Sequence, residues 1–218
     1  MRITWLGHAA WLIEAGGKRV LIDPFITGNP SSPVKASDLE KIDLILVTHN
    51  HSDHLGDTVE ISNRTGAKVV SMFENVNLMC SNGLKQDHGF GMNKGGDFVD
   101  LEGIKVALVQ AVHSGNECGV VLNIDGKTVY HAGDTAFFSD MGLIGSQFEI
   151  DIALLPIGGY FTMGPKQATE AAKAVKAKIV MPMHYNTFPP IRQDPGAFVK
   201  MLSGQKGLVP VPGKPIEL

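Results

Sequence analysis

The segment Val47–Thr48–His49–Asn50–His51–Ser52–Asp53–His54–Leu55–Gly56–Asp57 constrains this chain more than any other. It holds His-x-His-x-Asp-His directly after the apolar run Asp43–Val47 (DLILV), which reads as a buried strand. Ligand-type side chains at the exit of such a strand stand where α/β sheets gather their functional groups. His49 and His51 are two apart, so in an extended segment both imidazoles project to one side and one metal can take both. Asp53 and His54 follow at the turn into a helix and reach a second position nearby. Imidazole and carboxylate donors suit zinc, manganese or iron. The chain has only two cysteines, Cys80 and Cys118, too few for a thiolate-rich metal site or a disulfide framework.

Three further polar residues stand at the ends of apolar strands. His113 ends Lys105–Val112, Asp134 follows Thr128–His131, and His184 follows Ile179–Met183. The remaining pattern places strands at Ile3–Leu6, Trp11–Glu14, Arg19–Ile22, Lys68–Ser71, Phe98–Leu101, Ile104–Val112, Gly119–Ile124 and Asp151–Leu155. Gly16–Gly17 and Asp125–Gly126 read as hairpin turns. Helices are expected over Leu55–Arg64, over Glu74–Ser81, from Pro165 onward, and after an Asp194–Pro195 cap. Helical stretches thus flank a β-rich middle. That order fits two mixed sheets packed face to face with helices outside, a four-layer α/β/β/α sandwich. A three-layer α/β fold is disfavoured by the consecutive strands from 98 to 131. The 218 residues are read as a single domain, 1–218.

In this order of ligands the chain resembles the metallo-β-lactamase superfamily. The resemblance runs from Ile3 to about Pro190. Trp5–Leu6–Gly7–His8–Ala9, Leu21–Ile22–Asp23–Pro24, Tyr130–His131–Ala132–Gly133–Asp134–Thr135 and Met183–His184–Tyr185–Asn186–Thr187 are similar to one branch. That branch holds small metal-dependent hydrolases near ascorbate-6-phosphate lactonase and N-acyl-phosphatidylethanolamine phospholipase D. The resemblance implies two divalent metal ions. His49, His51 and His113 would hold the first; Asp53, His54 and His184 would hold the second; Asp134 would bridge them. It also implies a metal-bound hydroxide as nucleophile, with Asp53 and Asp134 as the catalytic carboxylates. Two alternative functions share this fold and fit the residues less well. Redox or oxygen-handling iron proteins on the same fold carry Glu where this chain has His51, or use fewer of these ligands. A metal-bearing protein without catalysis fits poorly with a complete ligand set.

Neighbouring residues are read more openly. His8 is a neighbour of the ligands or a substrate contact, with an ordinary buried polar residue as the alternative. Asp23 orients a ligand imidazole or simply forms a turn. Thr48 and Thr135 stand next to ligands and are placed to hydrogen-bond them, and Tyr185 and Asn186 are read as substrate contacts. His88, His131 and Cys118 are read as structural. Substrate expectations follow from size and charge. A net charge of −3 and the absence of a long basic arm argue against nucleic acid. No run of 18 or more apolar residues and no secretory signal is visible, so a cytoplasmic protein without membrane insertion is expected. The expected substrate is a small-molecule ester, lactone or phosphodiester. The oligomeric state stays open between monomer and homo-oligomer.

Overall fold

The computed structural model describes residues 1–218. The first half of the chain runs β1 (Arg2–Trp5), β2 (Trp11–Ala15), β3 (Lys18–Ile22), β4 (Leu44–Leu46), α1 (Ser52–Leu55), α2 (Thr58–Thr65), β5 (Lys68–Met72), α3 (Phe73–Ser81) and β6 (Gly89–Met92). The second half runs β7 (Val99–Leu101), β8 (Ile104–Val109), β9 (Gly119–Ile124), β10 (Lys127–His131), α4 (Met141–Gln147), β11 (Ile152–Pro156), α5 (Pro165–Ala174), β12 (Ile179–Met183), α6 (Pro195–Met201), β13 (Lys206–Gly207) and β14 (Pro215–Glu217). Two seven-stranded sheets result, in the orders β14-β1-β2-β3-β4-β5-β6 and β13-β12-β11-β10-β9-β8-β7. One apolar core fills the space between them and continues under α5 and α6. A smaller one lies between the first sheet and α2 and α3. This is the expected α/β/β/α sandwich.

Strand direction decides where the functional groups go. β3, β4 and β5 are parallel, as are β10, β11 and β12. β1 runs with β3, and β8 runs with β10, because each pair is separated by one antiparallel strand. The loops that leave β1, β3, β4, β8, β10 and β12 therefore all emerge at one edge of the sandwich. The chain's two ends meet on the outside of the first sheet, where β14 pairs with β1 and the Met1 amine donates to the Leu218 carbonyl at 3.1 Å.

The hairpin signals hold. Gly16 and Gly17, and Asp125 and Gly126, all take positive φ, and the Asp194 side chain accepts from the Ala197 amide at the start of α6. Other boundaries move. The helix expected over Leu55–Arg64 breaks at Gly56, which has φ 42° and lies so close to Pro24 that a Cβ would come within 2.2 Å of its carbonyl oxygen. The strand expected to reach Val112 stops at Val109. The next residues leave the ladder, and Val112 instead exchanges hydrogen bonds with Thr135 and Ala136. The strands β6, β13 and β14 and the helix α4 have no counterpart in the sequence reading.

Candidate metal centre

The loop after β4 begins with Thr48, whose amide and hydroxyl both donate to the Asp23 carboxylate, at 2.8 and 2.7 Å. Because its proton is committed there, the Thr48 oxygen accepts from His49 Nδ1 at 3.0 Å. His49 therefore turns Nε2 outward, 3.0 Å from His51 Nδ1. His113, from the loop after β8, completes a cluster of three imidazoles with these two. The ring centres of His49 and His51 lie 5.2 and 5.1 Å from that of His113. The first predicted ligand triad is thus brought together from both sheets.

The second triad meets beside it. His54 is fully buried and donates Nδ1–H to Asp23 at 2.7 Å. Its Nε2 faces Asp134 Oδ1 at 3.3 Å. Asp134 Oδ2 lies 3.0 Å from His184 Nε2 and 3.6 Å from His113 Nε2. Asp134 thus stands between the two triads. Asp53, His54 and His184 converge with a fourth residue, His8. The His8 ring is fully buried, with Nε2 3.1 Å from Asp53 Oδ2 and Nδ1 2.9 Å from Thr187 Oγ1. An ionised Asp53 fixes the tautomer: Nε2–H donates to the carboxylate, and Nδ1 accepts from Thr187. His8, Asp23, His184 and Asn186 all hold left-handed backbone, with φ of 53°, 44°, 54° and 61°. Non-glycine residues held this way cluster at functional sites, where surrounding structure overrides the local cost.

The electrostatics follow from burial and from the charges that face one another. Burial pushes the His8 ring down to about 4 and His49 to about 2, so both rings stay neutral near pH 7. Burial also lowers His113. Burial alone would raise Asp134, but the facing imidazoles of His184 and His54 hold it well below the usual carboxylate range. His54 shows the reverse balance. Its burial is outweighed by Asp134 and Asp23 on either side, which raise it well above an ordinary histidine.

A metal fits these residues on one structural observation. His54 Nε2, Asp134 Oδ1 and both ring nitrogens of His184 are buried and make no hydrogen bond, although His54 Nε2 lies 3.3 Å from Asp134 Oδ1 and His184 Nε2 lies 3.0 Å from Asp134 Oδ2. Each such orphan costs about 1–3 kcal/mol, so their convergence needs a partner within the cluster. Cations coordinated by imidazole and carboxylate are that kind of partner.

Several neighbours differ from their expected roles. Tyr185 does not face the site. Its ring stacks on Trp5 at 5.2 Å within the core, and burial pushes its hydroxyl up to about 12. Asn186 is exposed, but its side-chain oxygen is used by the Gln193 amide to close the 186–193 loop. Thr135 bonds to the backbone of Val112 and Ala136 rather than to a ligand side chain. Thr48 and Asp23 do sit behind the imidazoles of the candidate ligands His49 and His54. Thr187 escaped the sequence reading, because a threonine three residues past a ligand carries no signal of its own. His131 donates from Nε2 to the Ala9 carbonyl and accepts the Gly133 amide, which anchors the turn that carries Asp134. Cys118 packs on Thr48 and donates to its carbonyl at 3.2 Å. A cleft of about 430 Å³ between Lys18, Lys68 and Phe90 opens at the opposite edge, away from all these groups.

Residues 2–184 match the family model described as the beta-lactamase superfamily domain, so this chain belongs to the metallo-β-lactamase superfamily. Within it, the chain is similar along its whole length to proteins named UPF0173 metal-dependent hydrolase. One from Methanosarcina mazei is 48% identical over 233 residues, covering 100% of this chain and 99% of the relative. Another, TK0141 from Thermococcus kodakarensis, is 48% identical over 229 residues and covers 100% of both. Among solved structures, Igni18, a metallo hydrolase from Ignicoccus hospitalis, superimposes with a TM-score of 0.92 at 41% identity, covering 99% of this chain and 97% of that one. No helix of this chain is long and apolar enough to cross a membrane.

Proposed function

We propose that this protein is a hydrolase that works with two divalent cations, cleaving a small-molecule ester, lactone or phosphodiester. The observation that carries this reading is the set of buried, unpartnered ligand atoms on His54, His184 and Asp134, reached from both triads. The names of its 48% identical relatives, metal-dependent hydrolases, support the same class. His49, His51 and His113 would hold one cation, and Asp53, His54 and His184 the other. Asp134, which faces His54 and His184 of one set and His113 of the other, would bridge them. Two such cations, when bound, lower the pKa of a shared water, polarise the substrate oxygen and stabilise the leaving group.

The protein's own residues supply orientation and proton handling. Asp23 holds His54, and Thr48 holds His49, each with its free nitrogen toward the centre. Asp53 and Asp134 are not equivalent. The Asp134 side chain is 3% exposed, whereas Asp53 is 27% exposed and oriented by His8. Asp53 is therefore the carboxylate that substrate can reach. It accepts the proton that water loses on adding to the carbonyl or phosphoryl centre. That proton passes to the leaving oxygen as its bond breaks.

The test is reconstitution. Protein stripped by chelator and reloaded with zinc, manganese or iron(II) should retain close to two metal ions per chain. It should also hydrolyse a member of a panel of esters, lactones and phosphodiesters. His49→Ala and Asp134→Ala should each lower both. A wild-type chain that retains no metal from any of these ions overturns the reading.

A further inference from the structure

One side of the rim of the candidate centre is apolar. Thr135, next to Asp134, ties three loops together. Its hydroxyl accepts from the Val112 amide at 3.0 Å, and its carbonyl accepts from the Met163 amide at 3.0 Å. Met163 in turn closes the loop on Gly159, whose amide donates to its carbonyl. These knots bring four exposed apolar side chains beside Asp134 and His113. They are Val112, Phe137, Tyr160 and Phe161, at 45%, 41%, 71% and 52% exposure. Tyr160 and Phe161 meet edge to face with ring centres 4.7 Å apart. On the other side, Phe25 and Phe188 set their rings edge-on against His8 at 5.8 and 5.5 Å.

The charge pattern is equally one-sided. The stretches nearest the candidate ligands, 7–10, 23–34, 48–57, 110–118, 132–140, 156–165 and 184–191, contain no lysine or arginine, and Lys35, Lys166 and Arg192 follow directly after three of them. Lys94, in the loop that leaves β6 at the same edge, is held by Glu117 at 3.2 Å. Recognition of a phosphate or carboxylate away from the reacting bond uses arginine or lysine side chains. Solvent-exposed aromatic side chains bordering a reactive centre instead bury apolar parts of a ligand.

From this juxtaposition we propose that the substrate is an uncharged ester or lactone bearing an aryl or bulky alkyl group, which Tyr160 and Phe161 cover beside the scissile bond. The inference rests on the hydrolase reading above and narrows it, disfavouring phosphorylated substrates and phosphodiesters.

The experiment uses metal-loaded protein and two pairs of probes. Binding of phenylacetate and acetate is compared by calorimetry, since both present a carboxylate to the metals and differ by the ring. Turnover of ethyl phenylacetate and monoethyl succinate is compared as kcat/KM, each divided by its rate with hydroxide in solution. Phenylacetate should bind at least tenfold tighter than acetate, and the uncharged aryl ester should be preferred at least tenfold. Tyr160→Ser combined with Phe161→Ser should bring both ratios to within about twofold of one. Met201→Ser, an exposed apolar residue on α6, should keep them at the wild-type value. Ratios near one in the wild type, or unchanged in the double variant, overturn the proposal. A wild-type dimer that the double variant turns into a monomer assigns the aromatic patch to a second copy and overturns it too. Failure to turn over any ester counts against the hydrolase reading, while the two carboxylate affinities still decide the rim.

Discussion

Asp23 offers a clean separation of packing from ligand orientation. Its buried carboxylate accepts three hydrogen bonds, from the Thr48 amide, the Thr48 hydroxyl and His54 Nδ1. Burial alone would raise this carboxyl, but the His54 imidazole and its hydrogen bond bring it below the usual range. Asp23→Ala leaves those donors without an acceptor in the protein interior. At about 1–3 kcal/mol for each donor that cannot turn elsewhere, the expected loss is about 3–5 kcal/mol. For a chain of this length that lowers Tm by about 6–20 °C. Asp23→Asn is different. One oxygen can still take the Thr48 amide, so the new amide group faces His54 Nδ1 as a donor. His54 must then keep its proton on Nε2, directed at Asp134 Oδ1, and that nitrogen has no lone pair for a metal. Metal-free Asp23→Asn should therefore melt within a few degrees of wild type. Its metal affinity should fall about 10–100-fold, equivalent to about 1.4–2.7 kcal/mol. Thermal unfolding of the metal-free proteins and competition with a chelating dye measure the two effects separately. An Asp23→Asn protein that binds metal as tightly as wild type would refute the argument that Asp23 sets the His54 tautomer.

Other perturbations follow from single features. Gly56→Ala should be destabilised by about 3 kcal/mol or more, because the new methyl meets the Pro24 carbonyl in a left-handed turn; denaturant titration reads this directly. Burial raises the Cys118 thiol, so at pH 8 a thiol reagent should label one cysteine per native chain, half-buried Cys80, and both after unfolding. Two labelled thiols in the native protein would contradict that burial. Each ligand triad spans both sheets, so chelation of metal-loaded protein should lower Tm by several degrees, and an unchanged Tm would mean that bound metal does not couple the sheets.

The candidate ligand cluster was unusually legible in the sequence, for a local reason. Four ligand-type side chains sit within six residues at a strand exit, and the strands that deliver His113, Asp134 and His184 are all apolar runs. The hairpins at Gly16–Gly17 and Asp125–Gly126 were legible because their turns demand positive φ. What was missed depends on distant partners. β6 contains two glycines and no β-branched residue, and it is a strand because β5 supplies its ladder. β13 and β14 are two and three residues long and exist only through pairing with β12 and β1. The Leu55–Arg64 pattern hid the break at Gly56, because the cause is the backbone of Pro24, some thirty residues earlier. The core packing of Tyr185 was hidden for a similar reason. Nothing near it in sequence announces the ring of Trp5, 180 positions away.

The joining of the two chain ends has a consequence for biosynthesis. β1 (Arg2–Trp5) is made some two hundred residues before its outer neighbour β14 (Pro215–Glu217). At about 5–20 residues per second, β1 waits roughly 10–40 s before its partner exists. During that interval an apolar strand has an unpaired edge, which is the feature that templates chain-to-chain aggregation. The final strand acts as a late-arriving cover. A chain truncated before Pro215 keeps every candidate ligand yet leaves that edge bare, so its failure should show as self-association in concentrated solution before it shows in metal content.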